Sequence, residues 1–147
     1  MYNKGMLPPD TFKDKVVLIT GGGTGLGRSM AEYLLEIGAK VIITSRKEDV
    51  INNTCKEFDK KFPGKSIGFA GDVRNIDDVN SVIKNGYEKF SRIDHLINNA
   101  AGNFISPTER LTHKAFDVII DIVLKGTTYY TLNLGKKWIE NKTPGSI

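Results

Sequence analysis

The feature that most constrains this chain is a repeated change of hydrophobic period. The apolar run KVVLIT (15–20) gives way to a helical stripe in which Leu26, Met30, Tyr33, Leu34 and Ile37 share one face and Gly38 stops the helix. AKVIITSR (39–46) reads as a second strand. Ile51, Cys55, Phe58 and Phe62 then step along a second helix that ends before Pro63-Gly64. SIGFAGDV (66–73) reads as a third strand. Asn75 is placed to cap a third helix, with Asp77 and Asp78 in its first turn and Ile76, Val79, Val82, Ile83, Tyr87 and Phe90 as its stripe. A short fourth strand, His95–Ile97, follows. A last helix is expected from about Leu111 to Asn141, and its run Val118–Leu124 is apolar nearly all round, which predicts burial on more than one side. TPGSI turns and begins what reads as a fifth strand, where the chain stops. Strands alternating with helices of this length imply right-handed crossovers: an α/β fold with a doubly wound parallel sheet.

The 147 residues suit one domain, 1–147, with a real core. Hydrophobic residues at 39% and charged residues at 26% exclude a disordered chain. The longest uncharged stretch, Val16–Gly27, is too short and glycine-rich to span a bilayer. MYNKGMLPPDTF has no apolar signal core and no arginine, so a secretory or transit peptide is read as absent or removed. The net charge of +4 comes from scattered basic residues rather than a stripe with interleaved aromatics, which disfavours nucleic acid. Cys55 is the single cysteine and lies on a core-facing stripe, a packing residue rather than a nucleophile. The two histidines are far apart with no cysteine near them, so no metal site is expected.

Chemistry concentrates at two strand ends. ITGGGTGLGRSM follows the first strand and opens the first helix, with spacing Gly21-x-x-x-Gly25-x-Gly27 rather than G-x-G-x-x-G. Such glycines allow a tight turn and let the backbone approach a pyrophosphate, with the helix N-terminus facing the anion. Gly21, Gly22, Gly23, Thr24, Gly25 and Leu26 are therefore candidate cofactor residues; a plain glycine-rich turn is the alternative. At the end of the second strand an NAD site would carry a carboxylate for the ribose 2′-hydroxyl. Here Thr44-Ser45-Arg46 stands instead, with no acid before Glu48. Arg46 can grip a 2′-phosphate and Ser45 can donate to it, which favours NADP(H). A solvated arginine is the alternative.

The second concentration is HLINNAAGNFISPTERL (95–111), where an apolar run breaks into asparagine, alanine and glycine. TGGGTGLG after the first strand and NNAAG after the fourth resemble the short-chain dehydrogenases/reductases, which implies a Rossmann-type sheet over nearly the whole chain. The finer likeness is to 2,4-dienoyl-CoA reductases, carried by MLPP, GGGTGLG, SRK, DVR and above all AAGNFISPTERL; GGGTGLG and ISPTER resemble the mitochondrial branch. The resemblance implies that Asn99, Asp72 and Val73 join the cofactor site, Asp72 at the adenine. It also implies that Asn103 binds the thioester oxygen as a catalytic group, that Phe104 lines the acyl site, and that Arg74 and Thr112 contact the acyl-CoA. Read as plain residues, Asp72 could cap the third helix, Arg74 could be a solvated charge, and the asparagines could serve a turn. The implied reaction is reduction of a 2,4-dienoyl-CoA to a 3-enoyl-CoA in fatty-acid β-oxidation by an oligomeric, mitochondrial enzyme, with a cytoplasmic location as the alternative.

The chain also departs from that family. A second hydrogen-bonding tyrosine and a cofactor-binding lysine belong after the fifth strand, and no Tyr-x-x-x-Lys occurs here; four residues beyond Tyr129 and Tyr130 stand Asn133 and Leu134. Lys125 stands where asparagine is common. The sequence thus resembles the N-terminal half of a reductase, truncated at the start of the fifth strand, and by itself is expected to be inactive. A carbonyl-reducing relative, or an inactive nucleotide-binding module, are the other readings.

Overall fold

A computed structural model describes residues 6–103 and 105–147. Its elements are β1 (Val16–Thr20), α1 (Gly25–Glu36), β2 (Lys40–Ser45), α2 (Glu48–Lys61), β3 (Ser66–Ala70), α3 (Ile76–Phe90), β4 (His95–Ile97), α4 (His113–Ile120) and α5 (Gly126–Glu140). A single 3-10 turn covers Thr108–Arg110, and a π turn, Asp121–Lys125, joins α4 to α5. The strands form one sheet in the order β3-β2-β1-β4, every pairing parallel. Crossover helices cover both faces, as the alternating periods require.

Alternate residues of the central strands feed two cores. Val17, Ile19, Val41 and Ile43 pack with Leu35, Ile51 and Phe58 under α1 and α2. Leu18, Ile42 and Leu96 pack with Val79, Val82, Tyr130, Leu134 and Trp138 under α3 and α5. Asn75 caps α3 as expected, its side chain accepting from the Asp77 N–H at 2.9 Å. The base of β1 is fixed by buried Asp94, whose Oδ2 accepts from the Val16 N–H at 2.8 Å. Nothing in the sequence pattern marks that contact.

Three expectations need correction. The strand read as 66–73 ends at Ala70, because Asp72 and Val73 turn toward the Asn75 cap. Leu26 does not join the buried face of α1; it is 79% exposed beside the glycine loop. The last helix begins at His113 behind Thr112, not at Leu111, and it is interrupted by the π turn. Its apolar run is not buried on two sides. Val123 and Leu124 are exposed, and the buried residues of α5 are Gly126, Tyr130, Leu134 and Trp138, on the one side that meets the sheet. The fifth-strand reading is met by a single parallel bridge between His95 and Ser146. The Leu96 N–H donates to the Ser146 carbonyl at 2.9 Å, and the Ser146 N–H to the Asp94 carbonyl at 3.1 Å. Among the described residues no helix is long and apolar enough to cross a membrane.

Cys55 packs where α2 crosses β3, against the backbone of Gly68. Burial, assisted by the Asp59 carboxylate, pushes its thiol up to about 11. The reactive thiolate is therefore scarcer than in a free cysteine at any pH below that value. At pH 8, Cys55 should react with iodoacetamide roughly 100-fold more slowly than a free thiol, two units of pKa being a hundredfold in thiolate. Rates followed by mass spectrometry from pH 7 to 10 check this. A free-thiol rate in the folded protein would mean that α2 does not pack there.

Candidate functional site

The glycine loop is held by the end of β4. The Gly21 and Gly22 N–H groups donate to the Thr44 carbonyl at 2.8 and 3.2 Å, which bends the chain sharply off β1. The Asn99 amide then donates to the Thr20 and Gly21 carbonyls at 3.0 and 3.3 Å. In return the Thr20 hydroxyl accepts from the Asn99 and Ala100 N–H groups, each at 3.0 Å. This mesh leaves no room for side chains. A Cβ at Gly27 would overlap the Gly21 carbonyl oxygen and come within 2.6 Å of Asn99 Nδ2. Gly21 also has φ +67°, a conformation that favours glycine. Gly22 and Gly23 are buried against β2 and α2, and buried Thr54 donates to the Gly23 carbonyl at 2.9 Å. Thr24 precedes α1 without its side chain accepting from the first turn, so those backbone N–H groups stay available to an anion.

Above the loop lies a cavity of about 440 Å³ at the C-terminal ends of the strands. It brings together Gly21, Thr24, Leu26, Ser45, Arg46, Asp72, Val73 and Asn99 of the residues singled out in the sequence. Gly22, Gly23 and Gly25 do not line it; the first two support the loop from behind, and Gly25 supplies a positive φ of +54°. Gly27, Lys47, Val50, Gly71, Ala100, Ala101 and Ile122 line it as well. Of these, Lys47 was legible as a cation beside Arg46. Ile122 was not, because only the π turn brings it under the β4 loop, where a Cβ at Gly102 would meet its Cδ1 at 2.9 Å.

The acidic corner of the cavity is occupied from within the chain. Arg74 Nη2 meets Asp72 Oδ2 at 2.5 Å and its Nε meets Oδ1 at 2.9 Å. This fork holds the Asp72 carboxyl below its usual range, more than partial burial raises it. Asp72 does not cap α3, since Asn75 does, and Arg74 is not a free solvated charge. Thr112 caps α4, its hydroxyl accepting from the Ala115 N–H at 3.2 Å, and lies outside the cavity with exposed Asn103. Phe104 lies outside the described residues. Lys125 is also outside the cavity and pairs with Asp121 at 2.5 Å. Tyr130 is a core residue whose phenol is pushed far up by burial.

A doubly wound sheet with a glycine loop at the crevice beside its first strand is an architecture of nucleotide-binding α/β proteins. Similarity to known proteins narrows the class. Residues 15–147 match the family model described as short chain dehydrogenase, and the chain belongs to that family. It is 41% identical over 136 residues to a probable 2,4-dienoyl-CoA reductase [(2E)-enoyl-CoA-producing] of Bacillus subtilis, covering 92% of this chain and 53% of that protein. It is also 41% identical over 143 residues to a probable (3E)-enoyl-CoA-producing 2,4-dienoyl-CoA reductase of Caenorhabditis elegans, covering 97% and 46%. A peroxisomal 2,4-dienoyl-CoA reductase of Danio rerio is 34% identical, covering 90% and 44%. Among solved structures, a short chain dehydrogenase from Bacillus anthracis superposes with a TM-score of 0.85 at 45% identity, covering 90% of this chain and 54% of that one. A 3-ketoacyl-(acyl-carrier-protein) reductase from Brucella melitensis complexed with NADH superposes with a TM-score of 0.80 at 28% identity, covering 88% and 52%. The chain spans about half the length of the curated relatives it matches.

The Gly27 contact generates a prediction. Gly27→Ala should weaken dinucleotide binding at least roughly tenfold and cost about 1–3 kcal/mol of stability, because neither neighbour of the new methyl is a flexible side-chain end. Equilibrium titration of the dinucleotide with a parallel thermal melt checks both. Unchanged affinity would mean that the loop and β4 are not locked together.

Proposed function

We propose that the cavity takes NADP(H) and that the complete protein is an NADP-dependent oxidoreductase reducing 2,4-dienoyl-CoA to 3-enoyl-CoA in fatty-acid β-oxidation. The observation that carries the cofactor reading is the wall at the end of β2, where Ser45, Arg46 and Lys47 line the cavity and no carboxylate does. An acid there would repel a 2′-phosphate, whereas a guanidinium grips it in a fork. The uncapped first turn of α1 and the glycine mesh suit the pyrophosphate. Gly21–Leu26, Ser45, Arg46, Asp72, Val73 and Asn99 are the residues assigned to the cofactor, within a single dinucleotide-binding domain over 1–147.

The substrate reading rests on AAGNFISPTERL and on the dienoyl-CoA reductases among the relatives. The cofactor supplies a hydride when bound. Asn103, exposed on the loop after β4, is assigned to donate from its amide to the thioester oxygen as negative charge develops there. Protonation near the carbonyl then leaves the 3-enoyl product. Phe104, Arg74 and Thr112 are assigned to the acyl-CoA. The relatives' names divide between (2E)- and (3E)-enoyl products, and the assignment here follows the (3E) type. A mitochondrial location follows from the branch that GGGTGLG and ISPTER resemble. A homo-oligomer is supported by exposed apolar side chains, Leu124 in the π turn and Leu132 and Ile139 in α5, of the kind that interfaces cover.

Two measurements on the complete protein test this. NADP(H) should bind more tightly than NAD(H), and Arg46→Ala should reduce that preference roughly tenfold or more, the worth of a charge-assisted pair. Equal affinities in the unsubstituted protein would overturn the cofactor assignment. Asn103→Ala should lower kcat by about 10² to 10³ with a far smaller effect on substrate binding, as expected for a donor whose bond strengthens with developing charge. A normal kcat would return Asn103 to service as a turn residue.

A further inference from the structure

We propose that Arg74 is a positioning residue for the adenine end of the dinucleotide, acting through Asp72. The proposal rests on the reading of the cavity as a dinucleotide site and deepens it.

A carboxylate offers about four lone-pair positions. On Asp72 Oδ1 two are taken, by the Arg74 side chain at 2.9 Å and by the Arg74 backbone N–H at 3.0 Å. On Oδ2 the Arg74 Nη2 takes one at 2.5 Å, with Nε also within 3.1 Å. Nε carries a single hydrogen, shared between the two oxygens, so three hydrogens engage the four positions and one acceptor position remains, on Oδ2. The backbone is fixed as well, since the Asp72 N–H donates to Asp78 Oδ2 at 2.9 Å. Asp72 is thus a lining residue held at main chain and side chain, with one acceptor left to offer.

Neither ordinary use of such a pair accounts for it. Helix capping is done by Asn75. Stability is a poor reason, because an ion pair this exposed to water contributes little. What the fork does accomplish is orientation. Without it only the bond from the Arg74 backbone N–H to Oδ1 would remain, and Oδ2 with its free acceptor would lose the two side-chain donors that fix its direction. An exocyclic amine, as on adenine, suits a fixed acceptor; a carbonyl at the same ring position does not. Arg46 at the end of β2 and Asp78 in α3 also act on Asp72, and Asp121 in the π turn acts on Arg74. All three remain in place when Arg74 is changed. Nη1 of Arg74 has no part in the fork, so the acyl-CoA contact proposed above draws on different donors.

The test compares NADP+ with its hypoxanthine analogue, which carries a carbonyl in place of the adenine amine, by equilibrium titration of the full-length protein. The unsubstituted protein should bind NADP+ roughly tenfold or more tightly than the analogue, since the wrong ligand sets a carbonyl against a carboxylate. Arg74→Ala should still bind, with that ratio reduced to about twofold or less, and Asp72→Asn should lose the discrimination too. Arg74→Lys should fall between, as a point charge that cannot reproduce the fork. A thermal melt checks folding, and Arg74→Lys decides the matter if Arg74→Ala does not fold. Failure of the unsubstituted protein to bind either dinucleotide would overturn the cavity reading and the proposal with it. Equal binding of the two ligands, or undiminished discrimination in both Arg74 variants, would leave that reading standing and overturn the role of Arg74.

Discussion

The crossing of the glycine loop over the end of β4 is the contact on which the rest of the site depends. β1 and β4 are neighbours in the sheet, so their C-terminal ends must separate for a ligand to enter between the loops that follow. Here they separate without coming apart. Thr20 receives two N–H groups from the β4 loop, and Asn99 returns its amide to two carbonyls of the β1 loop. Each loop therefore satisfies backbone groups of the other, which matters where the chain leaves its sheet partners. The closeness needed for those bonds is what excludes a Cβ at Gly27 and crowds one at Gly21. The glycines are a consequence of the crossing as much as a provision for a phosphate.

The electrostatics follow from what the strand ends carry. Arg46 and Lys47 leave β2 exposed, with no acid before Glu48, so the wall there is cationic. After β3 the single carboxylate in the lining, Asp72, is largely neutralised by Arg74 two residues on. The cavity thus confronts a ligand with two cations that make no ion pair among the described residues on one wall and a compensated acid on the next. Such an arrangement favours an anionic group at β2 while leaving a neutral polar edge acceptable at β3.

Much of this was legible from residues alone. The unbroken apolar runs of β1 and β2 and the stripe on α3 identified a parallel sheet covered on both faces, because only buried strands tolerate such runs. The glycine spacing and the missing acid after β2 located half the cavity lining. What could not be read was anything requiring contact between distant segments. Asp94 looks like a solvated loop acid until its bond to the base of β1 is seen. Asn99 reads as a ligand-binding amide, and no pattern in the sequence shows that its side chain also bridges the Thr20 and Gly21 carbonyls. The error over the last helix has a similar origin. Periodicity counts how much of a helix is apolar, not how many neighbours it has, and no residue of the run from Val118 to Leu124 is fully buried here.

The π turn shows why that helix cannot be a regular rod. At its C-terminal side Gly126 lies against Val73, so closely that a Cβ would stand 2.6 Å from the valine Cγ2. From there Tyr130, Leu134 and Trp138 follow at intervals of four into the core. Four residues before Gly126, Ile122 must reach the other wall of the cavity, beneath Gly102. A regular helix fixes the angle between those two faces. The wider i→i+5 turn changes it, swinging α4 relative to α5 at the cost of poorer backbone geometry over five residues. The distortion lets one helix brace the loop after β3 and the loop after β4 at once. The cavity between those loops then has a width set by packing on a rigid element rather than by the loops themselves.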